Sequence, residues 1–285
     1  MLLGKKVSYS EKYDSSLLFR IDRSTNRKKY KIARNSLPFS GFDVWNCYEL
    51  SFLTQNGLPL QRVMKLIYPA ESQYIVESKS LKLYLNSFSF EKFADENDVK
   101  TTITNDLQQL LETKVNVCLF DKKSKAKVPF SEIDKNLSDL ISKEDLQNIE
   151  FENHKEKPEL LQSEKTETLH NYSFRSDLLR SNCPVTNQPD FGDLFVKIST
   201  THKIDFCSVL RYIVSFRKEN HFHEEVVEMI YKRFLNIFEA KSLMVAAMYT
   251  RRGGIDINPI RVSDISLIDK AFTTKTLRMS KTLRQ

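Results

Sequence analysis

Apolar and polar positions along the chain follow two rhythms, and each change of rhythm marks an element. Trp45 to Phe52 and Gln61 to Tyr68 read as β-strands, with Gly57, Leu58 and Pro59 between them as the turn. From Glu77 to Phe88 the residues Leu81, Leu85 and Phe88 fall at i, i+4 and i+7, the stripe of a helix that buries one face. A second helix is predicted from about Thr104 to Lys114, with Leu107, Leu110 and Leu111 inward. The β-branched start of Val115 to Phe120 makes that stretch a strand. Lys, Glu, Asp, Ser and Asn then dominate residues 122–165, a charged connector with a short helix predicted from Ser138 to Gln147. It divides the chain into expected modules at 1–150 and 151–285. In the second module Asp193 to Ser199 alternates as a strand, and Asp205 to Phe216 and Glu224 to Phe238 are amphipathic helices. Leu243 to Tyr249 is again a strand.

The two modules match at one constant shift. Ser80, Tyr84, Ser87 and Phe88 lie against Ser208, Tyr212, Ser215 and Phe216, Glu77 lies against Asp205, and the strand at Val115 meets the strand at Leu243. Helix periodicity alone does not fix the distance to the next strand, so an internal duplication explains the match better than chance. Stacked copies of such a unit predict sheets side by side with helices on one face.

Composition narrows the function. The 285 residues are 40% hydrophobic and 28% charged, which suits packed cores and excludes wholesale disorder. No stretch approaches the roughly 20 apolar residues of a membrane-spanning helix, and the start of the chain has no apolar signal-peptide core. Cys47, Cys118, Cys183 and Cys207 lack CxxC spacing, the usage expected of thiols in a reducing cytosol. The net charge is +7, with Lys5, Lys6, Arg20, Arg23, Arg27, Lys28, Lys29 and Lys31 crowded near the start; a solvated basic surface is the expectation there. The six glycines form neither GxGxxG nor GxxxxGK[ST], which excludes a Rossmann turn and a P-loop.

Four segments carry candidate chemistry. Cys183 stands in Ser181-Asn-Cys-Pro-Val-Thr-Asn-Gln-Pro-Asp190, where Pro184 and Pro189 exclude a regular helix. From this segment alone a reactive thiol and an ordinary loop thiol are equally good descriptions. His221-Phe-His-Glu-Glu225 opens a helix, where the dipole by itself accounts for the carboxylates. Arg251-Arg252-Gly253-Gly254 is a basic turn or a phosphate clamp, and Glu77-Ser-Lys-Ser-Leu-Lys-Leu-Tyr84 reads equally well as a capped, solvated helix start.

Taken together, these four segments resemble, in order, the motifs of the NADPH-dependent 7-cyano-7-deazaguanine reductases, the nitrile reductases of queuosine biosynthesis, in their long two-module form. The resemblance implies an α+β tunnelling fold (T-fold) of two tandem antiparallel-sheet modules with helices packed on one face. It implies a cytoplasmic homodimer without metal, acting on the free base 7-cyano-7-deazaguanine rather than on RNA. It assigns Cys183, Asp190 and His223 to catalysis, Val76, Glu77, Ser78, His223 and Glu224 to the substrate, and Ser78, Lys79, Arg252 and Gly253 to NADPH.

The implied reaction adds the Cys183 thiolate to the nitrile carbon to give a thioimide. Cys183 is therefore expected below the free thiol value of about 8.5. Asp190, as donor to the nitrile nitrogen, is expected to be raised by roughly 3 pH units. Arg252 is expected to clamp cofactor phosphate, so its loss should affect NADPH far more than the nitrile. Three rival readings are a zinc-dependent T-fold cyclohydrolase, a nitrile hydrolase using Glu77, Lys79 and Cys183, and a non-catalytic RNA-binding protein.

Overall fold

Residues 10–280 are described in a computed structural model; Met1 to Tyr9, with Lys5 and Lys6 of the basic tract, and residues 281–285 lie outside the described residues. In chain order the elements are β1 (Arg20–Asp22), α1 (Ser24–Lys29), β2 (Ser40–Leu53), β3 (Pro59–Pro69), β4 (Tyr74–Val76), α2 (Ser78–Asn86), α3 (Glu96–Leu111), β5 (Asn116–Phe120), β6 (Ala126–Lys127), α4 (Lys143–Asn148), β7 (Ser163–Asn182), β8 (Pro189–Ile204), α5 (Phe206–Ser215), α6 (His223–Ile237), β9 (Ser242–Tyr249), β10 (Ile255–Val262), α7 (Lys270–Thr273) and β11 (Arg278–Met279).

Among the described residues, seven strands form one antiparallel sheet in the order β5-β3-β2-β10-β9-β8-β7. Side chains alternate between its faces. On β2, Trp45 and Cys47 join α2 and α3 in one core cluster, whereas Val44 faces the other way. On β8 and β9, Leu194, Val196, Val245 and Ala247 join α5 and α6 in a second cluster. Strand β10 ties the two together. Its odd-numbered residues Ile255 and Ile257 pack with α2 and α3, while Arg261 reaches Glu228 on α6. Both helix pairs therefore lie on one face of the sheet, the layering expected from the resemblance. Gly41 makes the β2–β10 register possible, because a Cβ there would stand 2.0 Å from the Ile260 carbonyl oxygen.

The duplication repeats down to single hydrogen bonds. Glu77 caps α2 and Asp205 caps α5. Ser80 Oγ donates to the Glu77 carbonyl at 2.7 Å, and Ser208 Oγ to that of Asp205 at 2.6 Å. The Tyr84–Phe88 and Tyr212–Phe216 rings meet edge-on at 5.1 and 5.4 Å.

Several expectations are corrected. Helix α3 spans Glu96–Leu111 rather than starting near Thr104, because Asp95 caps it and Val99 and Ile103 extend its buried stripe. The predicted 138–147 helix is broken into a 3-10 turn at Leu137–Leu140 and the short α4. The charged connector is not bare, since its Phe130 and Ile133 pack with Phe272 of α7 on the sheet face opposite the helix pairs. Strand β7 begins inside the connector, and β10 completes the centre of the sheet. Arg23 and Arg27, expected on a solvated basic surface, are 6% and 5% exposed.

Candidate active site

The hairpin turn between β7 and β8 carries Cys183. Its N–H donates to the Gln188 carbonyl at 2.9 Å, and its own carbonyl accepts from Asn187, which has a left-handed φ of 55°. This tight loop half-buries the thiol. Burial pushes the Cys183 thiol up, but the Thr186 hydroxyl, the N–H groups of Thr186 and Val185 and the Arg252 guanidinium outweigh it, so the group sits below its ordinary value. The expected direction is met.

Asp190, the second residue of β8, is 3% exposed. Arg252 Nη1 donates to its Oδ1 at 2.7 Å, and His223 Nε2 lies 3.3 Å from its Oδ2. Burial alone would raise this carboxyl, but His223 and Arg252 together hold it below the usual carboxylate range. The expectation of a raised Asp190 is corrected: in this structure it is an ion-paired carboxylate, and it can pass on a proton only after receiving one from a neighbour.

His223 is the first residue of α6 and stacks on Tyr249 at 3.9 Å and 15°. Its Nδ1 is buried with no hydrogen-bond partner among the described residues. The two glutamates that follow behave differently. Glu225 accepts from the Phe222 N–H at 2.9 Å, a cap of the kind the helix dipole favours. Glu224 turns inward, is 3% exposed, and its Oε1 has no partner among the described residues. Burial first, and the nearby Asp43 second, push Glu224 up to about 8.

From the first module, Glu77 presents its carboxylate to the N–H groups of Lys79 at 3.0 Å and Ser80 at 2.7 Å. Val76, Glu77, Ser78, Cys183, Asp190, His223, Glu224 and Arg252 all line one slot of about 40 Å³. It opens into a groove of about 460 Å³ lined by Ser78, Lys79, Lys82, Thr186, Gln188, Arg252 and Gly253. A bicyclic base therefore has to occupy the slot together with the mouth of the groove. Every residue that the resemblance assigns to catalysis, substrate or NADPH thus borders one of these two adjoining spaces.

Arg252 differs from expectation. Besides Asp190, its guanidinium donates to Thr186 Oγ1 and Gln188 Oε1, each at 2.9 Å, and it reaches the Cys183 thiol. It is built into the Cys183 loop as well as bordering the groove. Lys82 Nζ instead crosses the groove, donating to the Gly253 carbonyl at 2.8 Å and to Glu49 at 3.1 Å. Gly253 and Gly254 have φ of 58° and 78°, the left-handed values that let β9 turn tightly into β10. Trp45, Ile75 and Ile257 also line the slot without having been anticipated, and so do His221 and Phe222 from the segment that opens α6. Thr186, Gln188 and Tyr249 stood inside the motifs already quoted, but their polar contacts depend on the fold.

Comparison with known proteins gives two family matches. Residues 9–119 match the profile described as nitrile reductase, 7-cyano-7-deazaguanine-reductase N-term, and residues 189–265 match that of the QueF-like protein. Curated relatives named NADPH-dependent 7-cyano-7-deazaguanine reductase include that of Psychrobacter cryohalolentis, 40% identical over 94% of this chain and 95% of its own. The protein of that name from Acinetobacter baylyi is 41% identical over 93% and 94%, and that from Burkholderia ambifaria 41% over 92% of both chains. A solved structure, of the archaeosine synthase QueF-Like in the apo form, aligns with 34% of this chain and 95% of its own at 15% identity and a TM-score of 0.30.

Proposed function

The chain belongs to the family of NADPH-dependent 7-cyano-7-deazaguanine reductases, and we propose that it reduces the nitrile of 7-cyano-7-deazaguanine to the aminomethyl group through a covalent thioimide on Cys183. The observation that carries this is the pairing in one slot of a thiol depressed by Thr186, Val185 and Arg252 with the buried, unpartnered Glu224 Oε1.

Glu224 anchors the base. A guanine-like edge offers adjacent N–H donors, and a buried carboxylate gains most from donors that water can no longer supply. The Cys183 sulfur forms a bond to the nitrile carbon as the nitrogen takes a proton, giving the thioimide. His223 and Asp190 carry that proton as a pair, because Asp190 is ionised at rest and His223 Nε2 stands beside it. A first hydride and proton give a tetrahedral adduct. Departure of the thiolate gives an iminium, which takes the second hydride to become the amine. Arg252 stabilises the thiolate both before attack and on departure. The groove suits a long anionic cofactor, since Lys79, Lys82, Arg252 and Gly253 border it next to Cys183. NADPH bound there supplies the two hydrides.

The homodimer, the cytoplasmic setting and action on a free base belong to the same proposal. So does the division into modules at 1–150 and 151–285: α2 and α3 share one core cluster and α5 and α6 the other, with Ile32, Phe39 and Ala70 crossing into the second and Ile255 and Ile257 into the first. Among the described residues, no helix is long and apolar enough to cross a membrane.

The test is NADPH oxidation with the deazaguanine nitrile. Two equivalents consumed per amine formed are expected, and ammonia release without NADPH consumption would overturn the reading in favour of hydrolysis. Mixing enzyme and nitrile should give an ultraviolet adduct band that Cys183→Ala abolishes, with turnover falling by more than about 10⁴-fold. An adduct that survives the substitution would remove Cys183 as nucleophile.

A further inference from the structure

Behind Glu224 lies a buried ionic cluster that none of the chemistry above uses. Among the described residues it joins the guanidiniums of Arg23, Arg27 and Arg261 to the carboxylates of Asp43 and Glu228. Arg261 donates to Asp43 at 2.8 Å and to Glu228 at 2.8 and 3.0 Å, while Arg27 grips Glu228 at 2.6 and 2.8 Å. Arg23 bonds Asp43, and also Ser72 at 3.2 Å. Three positive charges thus face two negative ones, leaving one cation over in the interior. Isolated buried charge is costly, so such a surplus needs a counter-charge.

Glu224 is placed to supply it once ionised. It stands one helical turn before Glu228 on α6, on the same face. Arg23 Nε and Glu224 Oε1 are both buried without partners among the described residues. Both residues line the same cavity of about 10 Å³, about the space one water needs. The other ionisable groups around Glu224 are Asp22 from β1, Asp43 from β2, Tyr68 from β3, Glu225 on α6, Tyr249 from β9 and Arg261 from β10, with Glu77, Asp190, His221, His223 and Arg252 around the slot. Asp43 and Arg261 are bonded to each other, so Arg23 is the cation whose unused donor can answer Glu224.

We propose that Arg23, on the turn between β1 and α1, is a positioning residue that acts across this cavity to hold Glu224 as an aimed carboxylate, and so sets the preference for a base edge with two adjacent donors. The inference rests on the base-anchoring role of Glu224 given above. It gives the short N-terminal β1–α1 segment a part in substrate selection although it touches neither Cys183 nor the groove. Glu224 binds such an edge as a carboxylate, so affinity should fall as the pH drops through its titration. Removing the neighbouring cation makes the carboxylate harder to form and moves that fall to higher pH.

The experiment measures calorimetric affinity for 7-cyano-7-deazaguanine and for guanine from pH 6 to 9.5, with steady-state kinetics, in the wild-type chain, Arg23→Gln and Arg23→Lys. Arg23→Gln should bind both bases about tenfold more weakly at pH 7, and its acid limb should move up by about one pH unit. Its KM for NADPH should stay within about twofold of wild type. Arg23→Lys keeps the charge but lacks Nε, so a loss of about threefold is expected. A folded Arg23→Gln with wild-type affinity and limb overturns the proposal, as does an equal loss for NADPH and base. If Arg23→Gln does not fold, Arg23→Lys decides: weaker base affinity with unchanged NADPH KM supports the role, and wild-type values for both overturn it. A wild-type chain that turns over no nitrile defeats the proposed reaction alone, because guanine affinity that depends on Arg23 still supports this role. Guanine affinity indifferent to Arg23 overturns it, and binding of neither base overturns both.

Discussion

The shift that lays Ser80 on Ser208 also lays Glu96 on Glu224 and the Asn56-Gly57 turn on the Cys183 turn. These equivalent positions do different work. The first hairpin turn is an exposed Thr54–Leu58 loop held by its own hydroxyl and amide contacts, with Gly57 at φ 87°. The second is the loop that seats the thiol. Glu96 starts α3 with its side chain 40% exposed, bonded to Arg62 at 2.6 Å, whereas Glu224, the second residue of α6, is buried above the arginine cluster. At the helix caps the asymmetry runs the other way: Glu77 lines the slot and Asp205 does not. Duplication supplied the scaffold twice, and chemistry settled where the cap of one copy meets the turn and helix start of the other.

The comparison can be broken experimentally. Asp190→Asn should lower kcat by about 10²–10⁴-fold, whereas Asn56→Ala in the equivalent first turn should leave turnover within about twofold. Comparable losses in both would show that the first turn also serves the reaction.

Glu224→Gln should weaken nitrile binding by about 10- to 100-fold, and Glu96→Gln should not alter it. Stability separates the pair further. Glu224 is raised to about 8 in the fold from an ordinary carboxylate value of 4.5. Its burial therefore carries no charge penalty below the unfolded value, a growing one as pH rises from there, and the full one above about 8. Thermal unfolding should find Glu224→Gln more stable than wild type at pH 8.5 and close to it at pH 4.5. Equal differences at both pH values would argue against a neutral buried acid.

Arg252→Ala should raise the pH midpoint of Cys183 alkylation by about one unit, with nitrile and NADPH kinetics both impaired. A change confined to NADPH would restore the separate-clamp role. The smallest effects belong to the caps. Glu77→Ala and Asp205→Ala should each lose about 1 kcal/mol of stability, but only Glu77→Ala should also raise the nitrile KM.

How much of this was legible depended on where each signal lay. Helix caps and apolar stripes are local, so α2, α5 and α6 were read within a few residues. Strand β7 was missed because its edge position leaves half of its 20 residues exposed and only four buried, which gave Ser163–Asn182 no sustained apolar alternation to find. Strand β10 failed for the opposite reason: all eight residues are buried, yet Asp256, Asn258, Pro259 and Arg261 look like a polar loop. Their partners, Asn46 and Tyr48 for Asp256 and Glu228 for Arg261, lie far away along the chain. The site residues stood in recognisable motifs, but their charge states did not. Asp190 is ionised because His223 and Arg252 fold onto it, and Arg23 is buried because two carboxylates from β2 and α6 meet there. Such facts exist only after the chain has closed.

The central place of β10 has a consequence for synthesis. As the chain leaves the ribosome, β2 and β3 can pair at once, but residues Ser40–Cys47 of β2 keep an open inner edge until Ile255–Val262 emerges. An open edge is a template for another chain's strand. Nascent chains stalled before residue 255 should therefore cross-pair and precipitate, while release after β10 restores solubility: the seam of the sheet is laid last.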